Sequence, residues 1–436
     1  MAAPQNKSEY ILESVLLESE RLSEPVELKE VVTDIDIFES LDKPYLTGQV
    51  LILDNERLYE NADLLGAEKI TIKIKSIRDN TTTITNNFYI SKIINTEKVN
   101  NNMQILALHL VEDIAYYSNL ININKVYRGK CSSIISKIIE QYLNHELGGT
   151  TNDKQNLKLI VPNLSPIEAI KWITSRATSL KGYPFYCYST FALSKLYFND
   201  LGGMLSTPVI NQDLSYKYNT VTQSADDPEV RRRTIKSHKF STEMENLTKL
   251  IVKGLIGAKY EYIDTNKEYM KTLHFDIKKD LFNELIDDGI LNSQANIPFS
   301  EKYLLNEKSF NKLVNRSITQ LRSNGAFEYY KSYGEEDTIA GYKLEIISRA
   351  MDNVLKKNPM TIVVPGVDFI DGDKHSTIGN NIRVEFQNTK PDVKPGEKRI
   401  DTKKSGDYLI YQTRHMFKKE TYEVALTCVK IGNYRR

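Results

Sequence analysis

The chain has 436 residues and a mass of 50.1 kDa, with 40% hydrophobic and 26% charged residues. That is enough apolar material for about three domains, and it excludes wholesale disorder. Lys plus Arg number 58 against 57 Asp plus Glu, a net charge of +1, which argues against a chain built mainly to grip phosphate backbones and leaves room only for local basic patches.

The N-terminus reads as no signal peptide, because its most apolar piece, Tyr10–Leu17, carries Glu13 and runs into Glu18 and Glu20. Thr33, Ile35 and Ile37 alternate with Asp34 and Asp36, the period of a strand with one wet face. Further strands are expected at Tyr45–Leu53, around Ile70–Ile74, at Thr82–Asn95 and at Met103–Leu110, with 55–68 as an exposed connection. Near residue 126 the texture changes. Cys131–Leu147 spaces Ile134, Ile135, Ile138, Ile139 and Tyr142 as a helix, with Gly148-Gly149 as its stop. Ser165-Pro166-Ile167-Glu168 is a capping box with Pro at the first helical position, so a second helix starts there. Two short strands, Phe185–Thr190 and Leu193–Phe198, follow.

From about Arg231 strands return. Thr234–Phe240 reads as a strand, Glu243–Gly254 as a helix, and Lys259–Ile263 with Glu268–Ile277 as a hairpin. Helical patterns follow at about Ser309–Arg322 and Lys343–Lys356. Strands close the chain at Met360–Val364, Ile382–Phe386, Asp407–Arg414 and Tyr422–Val429, with the charged stretch Asn388–Lys404 as a solvated loop. The fold class is therefore α+β, mainly β. Antiparallel β-rich regions at 1–125 and 229–436 flank a mixed α/β region at 126–228, and a helical insertion occupies about 280–358. The order suggests one barrel type used twice. No stretch approaches 18 consecutive apolar residues, so no membrane insertion is expected. Three widely spaced cysteines, Cys131, Cys187 and Cys428, exclude a disulfide framework and fit folding in a reducing compartment.

A search for chemistry finds little. The chain lacks a Walker loop, a His-Glu-x-x-His pair, a Gly-x-Ser-x-Gly elbow and a Cys-x-x-Cys. His145-Glu146 has no second His and reads as a helix end. Ser309-Phe310-Asn311-Lys312 meets only the minimum of a Ser-x-x-Lys nucleophile, without the partner motifs. Asp368, Asp371, Asp373 and His375 surround Gly372 and could hold a hard cation, but they do not meet the calcium-loop pattern and read as a polar turn. Asp34 and Asp36 read as the wet side of their strand rather than as paired acids. Arg231-Arg232-Arg233, Lys403-Lys404 and Lys418-Lys419 are basic clusters suited to an acidic partner or to water. Trp172 reads as core. The expected set of catalytic, cofactor and metal residues is empty, and no enzyme activity is expected.

Several segments together resemble the central baseplate hub proteins of contractile-tailed bacteriophages, the family of the T-even tail-lysozyme-complex hub, and more distantly the N-terminal half of type VI secretion VgrG spikes. They are Ile37–Asp54 with Gly66–Ile72, the helix Ser165–Ala177, and the ending with Thr361–Gly366, Ser405–Tyr411, Arg414-His415 and Tyr422–Leu426. The resemblance implies two tube-like antiparallel β-barrel domains around the middle domain, with the insertion in the second barrel. It implies a homotrimeric ring that adapts a sixfold tail tube to a threefold central spike. The expected partners are the tail tube protein, the central spike protein and other baseplate proteins, with DNA able to pass through the lumen without specific binding. The expected location is the virion tail, after assembly in the host bacterial cytoplasm. The 26 Tyr against 14 Phe and one Trp suit interfaces in such a setting. The alternative is an envelope-degrading or carbohydrate-binding tail protein, on the strength of the acid- and Tyr-rich composition and of the insertion at about 280–358, which matches no part of that family.

Overall fold

The structure is a computed structural model. It describes residues 10–55, 58–77, 83–100, 103–151, 153, 156–193, 195–210, 215–218, 228–241, 247–264, 269–291, 304–305, 308–309, 317–322, 327–330, 338–370, 377–387, 400–401, 404–419 and 421–430. The first region is built of β1 (Tyr10–Glu18), β2 (Val26–Glu27), β3 (Val32–Ser40), β4 (Thr47–Asp54), β5 (Lys69–Ser76), β6 (Thr83–Asn100) and β7 (Met103–Glu112). They pair antiparallel in the order β2-β1-β5-β6-β7-β4-β3. Strict alternation drives this. In β4 every second residue, Gly48, Val50, Ile52 and Asp54, is buried, and one face of the sheet meets the core. β1 and β2 are strands that the sequence reading did not recognise. The 55–68 connection differs from the exposed loop expected: it holds helix α1 (Leu58–Asn61) and buries Ala62 and Leu64.

The middle region carries α2 (Asp113–Ser118), β8 (Val126–Lys130), α3 (Cys131–Ile138), β9 (Leu147–Thr150), β10 (Asn156–Ile160), α4 (Pro166–Thr174), β11 (Phe185–Thr190), β12 (Lys195–Asp200), α5 (Leu201–Ser206), β13 (Tyr216–Tyr218) and α6 (Pro228–Arg232). The capping box of α4 is formed. Glu168 N–H donates to Ser165 Oγ at 3.4 Å, and Ser165 N–H donates to Glu168 Oε2 at 3.1 Å. The helix expected over 131–147 is shorter. It loosens into a π-helical turn at Ile139–Leu143 and ends where Asn144 turns left-handed at φ 51°. Asn tolerates that conformation, so the stop comes before the glycines. Gly148 and Gly149 lie in β9, parallel to β12.

The last region begins with β14 (Ser237–Phe240) and α7 (Leu247–Val252). The expected hairpin is β15 (Gly257–Asp264) with β16 (Tyr269–Asp276), antiparallel from Gly257↔Asp276 to Asp264↔Tyr269. A π-helical turn at Lys278–Phe282 leads into α8 (Asn283–Asp287). β17 (Leu304–Leu305), β18 (Lys308–Ser309), β19 (Ser317–Arg322) and β20 (Phe327–Tyr330) follow. The helix expected over 309–322 is absent from its described part. Ser317–Arg322 is a strand parallel to β15, because the hairpin offers an open edge and Ile318 and Thr319 are β-branched. β20 pairs with β10, so this insertion is tied to the middle region. Helix α9 (Thr338–Leu355) matches expectation and buries Ile346, Ile347, Ala350, Met351, Val354 and Leu355, each large side chain adding about 1.5–3 kcal/mol.

The chain closes with β21 (Met360–Pro365), β22 (Asn381–Phe386), β23 (Gly406–Lys418) and β24 (Thr421–Val429). β23 bridges the two β-rich regions. One side pairs with β24, the other with β3, from Gln412↔Ser40 to Lys418↔Asp34. The first and last regions therefore share one 13-stranded sheet. Cys131, Cys187 and Cys428 are free and buried. Among the described residues no helix is long and apolar enough to cross a membrane.

Candidate functional site

The motifs singled out in the sequence are not drawn together. His145 Nδ1 is 2.7 Å from Leu143 O, and Nε2 is 3.7 Å from Asp113 Oδ1, which is helix-end packing. Asp36 is held by both arms of Arg414, at 3.2 and 2.7 Å, across the β3–β23 pair, so it is no free catalytic acid. Asp368 lies in a 3-10 turn at Val367–Phe369, whereas Asp371, Asp373 and His375 lie outside the described residues. Ser309 is in β18, and Lys312 lies outside the described residues. Arg231 and Arg232 end α6, Lys404 lies 5.3 Å from the Phe240 ring centre, and Lys403 lies outside the described residues. Trp172 is not deep core. It is half-buried at the core's rim, capped by the Arg176 guanidinium 4.1 Å above its ring.

The structure assembles a different group, at the seam where β3 meets β23. Glu39 and His415 are 2% and 1% exposed. Glu39 Oε1 accepts the Phe191 N–H at 2.5 Å, and Oε2 accepts the Thr377 hydroxyl. His415 Nε2 stands 3.2 Å from Glu39 Oε2, at ion-pair distance without the alignment of a hydrogen bond. His415 Nδ1 lies 2.7 Å from the Tyr422 hydroxyl. Burial and the nearby Glu39 push the Tyr422 phenol far above its ordinary range, so it stays protonated and can donate to Nδ1.

Glu112, at the end of β7, reaches the same β11 end from beside the seam. It accepts the Leu46 N–H at 2.7 Å and the Ser189 hydroxyl at 3.2 Å. Burial pushes its carboxyl up to about 7, Asp113 and Glu39 adding to the rise against the hydrogen bonds. The two carboxylates thus grip the β11 end, at Ser189 and Phe191, from strands of the first region. Neither opens to solvent, so a raised carboxyl and a His–Glu pair serve here as fasteners rather than as acid and base.

Period-two arithmetic would have found these residues. Ile35, Ile37 and Glu39 share one strand face, as do Leu106, Leu108, Leu110 and Glu112, and Thr413, His415 and Phe417. All of these are buried. A charged residue on the apolar parity of a strand is the signal.

A second fastener holds α9. Tyr186 donates to Asp352 at 2.5 Å and Tyr411 to Asp42 at 2.6 Å, while Lys356 bridges Asp42 and Asp352 at 3.1 and 2.9 Å. Burial alone would lower the Lys356 ammonium pKa, but the two aspartates outweigh it and hold the value raised. A groove of about 330 Å³ lies beside these side chains. A wider cleft of about 630 Å³ runs beside the stacked rings of Tyr89 and Tyr116, whose centres are 4.2 Å apart. Of its acids, Glu18 and Glu68 are bound to Lys69 and Arg21, and Glu20 is exposed.

No protein-family model matches the sequence, and a search of curated proteins finds no match. Solved structures do match. A tail protein from Neisseria meningitidis MC58 aligns over 97% of this chain and 96% of its own, with TM-score 0.52 and 10% identity. The 43 kDa tail protein of prophage MuSo2 from Shewanella oneidensis aligns over 96% and 98%, with TM-score 0.51 and 9% identity. The fold is that of these tail proteins. A type VI secretion component from E. coli, described as similar to T4 bacteriophage tail proteins, aligns over 97% of this chain at TM-score 0.42, and nothing below rests on it.

Proposed function

We propose that the chain is a structural hub of a phage contractile tail, a homotrimeric ring without enzymatic activity. Residues 1–125 and 229–436 form its two tube-like barrel domains, and residues 126–228 form the domain between them. Three copies present six similar barrels to a sixfold tail tube, while the threefold axis suits a central spike. Other baseplate proteins surround the ring, which is carried in the virion after assembly in the host cytoplasm. The observation that carries the reading is the end-to-end likeness to tail proteins, covering 97% of this chain and 96% of the Neisseria protein. The sealed seam adds support. Its carboxylates and imidazole are spent on holding three regions together, which is what a rigid ring segment requires.

Light scattering on the full chain across a hundredfold concentration range tests it. The expected mass is about 150 kDa, three times the 50.1 kDa chain. A mass that stays at one chain throughout overturns the reading.

A further inference from the structure

Among the described residues, two sheet edges of opposite charge are left open. β8 is the outer strand of the sheet β20-β10-β8. On the wet face of β8 and β10, Val126 stands opposite Ile160 and Arg128 opposite Lys158. Val126 and Ile160 are 54% and 43% exposed, an apolar pair left in water. Lys125, Arg128 and Lys130 lie within six residues without an acid among them. Like charges opposite each other cost stability. Glu328 of β20 stands at the register position on the other side of Lys158. Arg128 and Lys130 are exposed, with no ion pair among the described residues.

The other edge is β2, the last strand of the large sheet. Residues 18–30 hold five Glu against Arg21 and Lys29. Glu18 is bound to Lys69, and Glu27 Oε1 accepts the Val15 and Lys29 N–H groups. Glu20, Glu24 and Glu30 remain exposed, without an ion pair among the described residues. Beside them, through the Arg21–Glu68 contact, lies Leu65, which is 72% exposed. Each edge thus pairs an exposed apolar residue with unbalanced charge, and the signs are opposite. Exposed edges of this kind are commonly covered by a partner.

We propose that the β8–β10 face of one copy docks on the β1–β2 corner of the next copy. Two different patches that complement each other make a head-to-tail contact, and such a contact closes a ring when its rotation does. The inference rests on the ring reading above and names the surfaces that close it. Opposite charges steer the encounter and fix the register, and the apolar residues supply the buried centre.

Charge reversal tests the contact on the full chain. Arg128→Glu with Lys130→Glu is one variant, Glu20→Lys with Glu24→Lys a second, and all four changes together a third. All four side chains are exposed, so circular dichroism should match the parent in each. Each pair alone is expected to raise the concentration for half-assembly at least tenfold, and the fourfold variant to recover it. Carbodiimide coupling in a mixture of labelled and unlabelled chains should join Lys130 to Glu20 or Glu24 between copies. If the parent is trimeric but the paired variants stay trimeric, or the fourfold variant does not recover, the contact is wrong and the ring stands. If the parent is itself monomeric, the ring reading falls and this inference with it.

Discussion

The β3–β23 seam and the outer edges β2 and β8 are both places where strands meet a boundary, yet they handle charge in opposite ways. Beside the seam the buried acids Glu39 and Glu112 each meet donors. Glu39 takes a backbone N–H and a hydroxyl, and Glu112 does the same. At the edges Glu20, Glu24, Arg128 and Lys130 face water. A buried charge without a partner costs several kcal/mol, whereas an exposed one costs almost nothing. The lesson is that polar groups inside this chain fix how its own regions join, and those outside remain available for another molecule.

The sharpest way to break that contrast is to remove one acid of each kind. Glu39→Ala strips the acceptor from Phe191 N–H and Thr377 and the carboxyl beside His415. It should cost about 3–5 kcal/mol in denaturant unfolding. Glu24→Ala should change stability by no more than about 0.5 kcal/mol. Similar losses for the two would erase the distinction.

Next in size is a pH effect at Glu112. Its carboxyl is raised from 4.5 to about 7, so the native state holds a proton that the unfolded state releases. The stabilisation is complete below about 4.5 and is lost as pH rises through about 7, in total about 3 kcal/mol. Glu112→Gln keeps the shape and removes the titration. Relative to the parent, its unfolding free energy should climb between pH 5 and pH 8. A constant difference would mean that the carboxyl is not raised.

Gly366 sharpens the comparison from the packing side. A Cβ there would meet the Tyr422 ring at 2.5–2.6 Å, so the ring that bonds His415 must shift. Gly366→Ala should cost about 1–3 kcal/mol, visible as a lowered Tm. The smallest effect belongs to a local element away from the seam. Ser165→Ala removes the α4 cap and should cost about 1 kcal/mol, with the same assembly state by light scattering.

Much of the fold was legible because it is local. The Ser165–Glu168 box, the β15–β16 hairpin and the closing strands follow from spacing and turn chemistry over a few residues. The misses have physical causes. Glu13 and Glu18 interrupt the apolar run of β1, so its pairing with β5 was hidden. Residues 317–322 have a pattern that suits a helix turn, and only the open edge of β15 makes them a strand. The β3–β23 join brings Ser40 to Gln412 across 372 residues of chain, a distance that no periodicity reports. The seam residues were legible in principle, since Glu39, Glu112 and His415 fall on the apolar parity of their strands. The searched motifs led elsewhere, because sealed polar groups carry no catalytic spacing.

Class averages of the purified full chain in negative stain, taken at a concentration where scattering is constant, test the central claim most directly. The account predicts threefold rings with an open centre. Single compact particles of one chain, with no ring at any concentration, would contradict it.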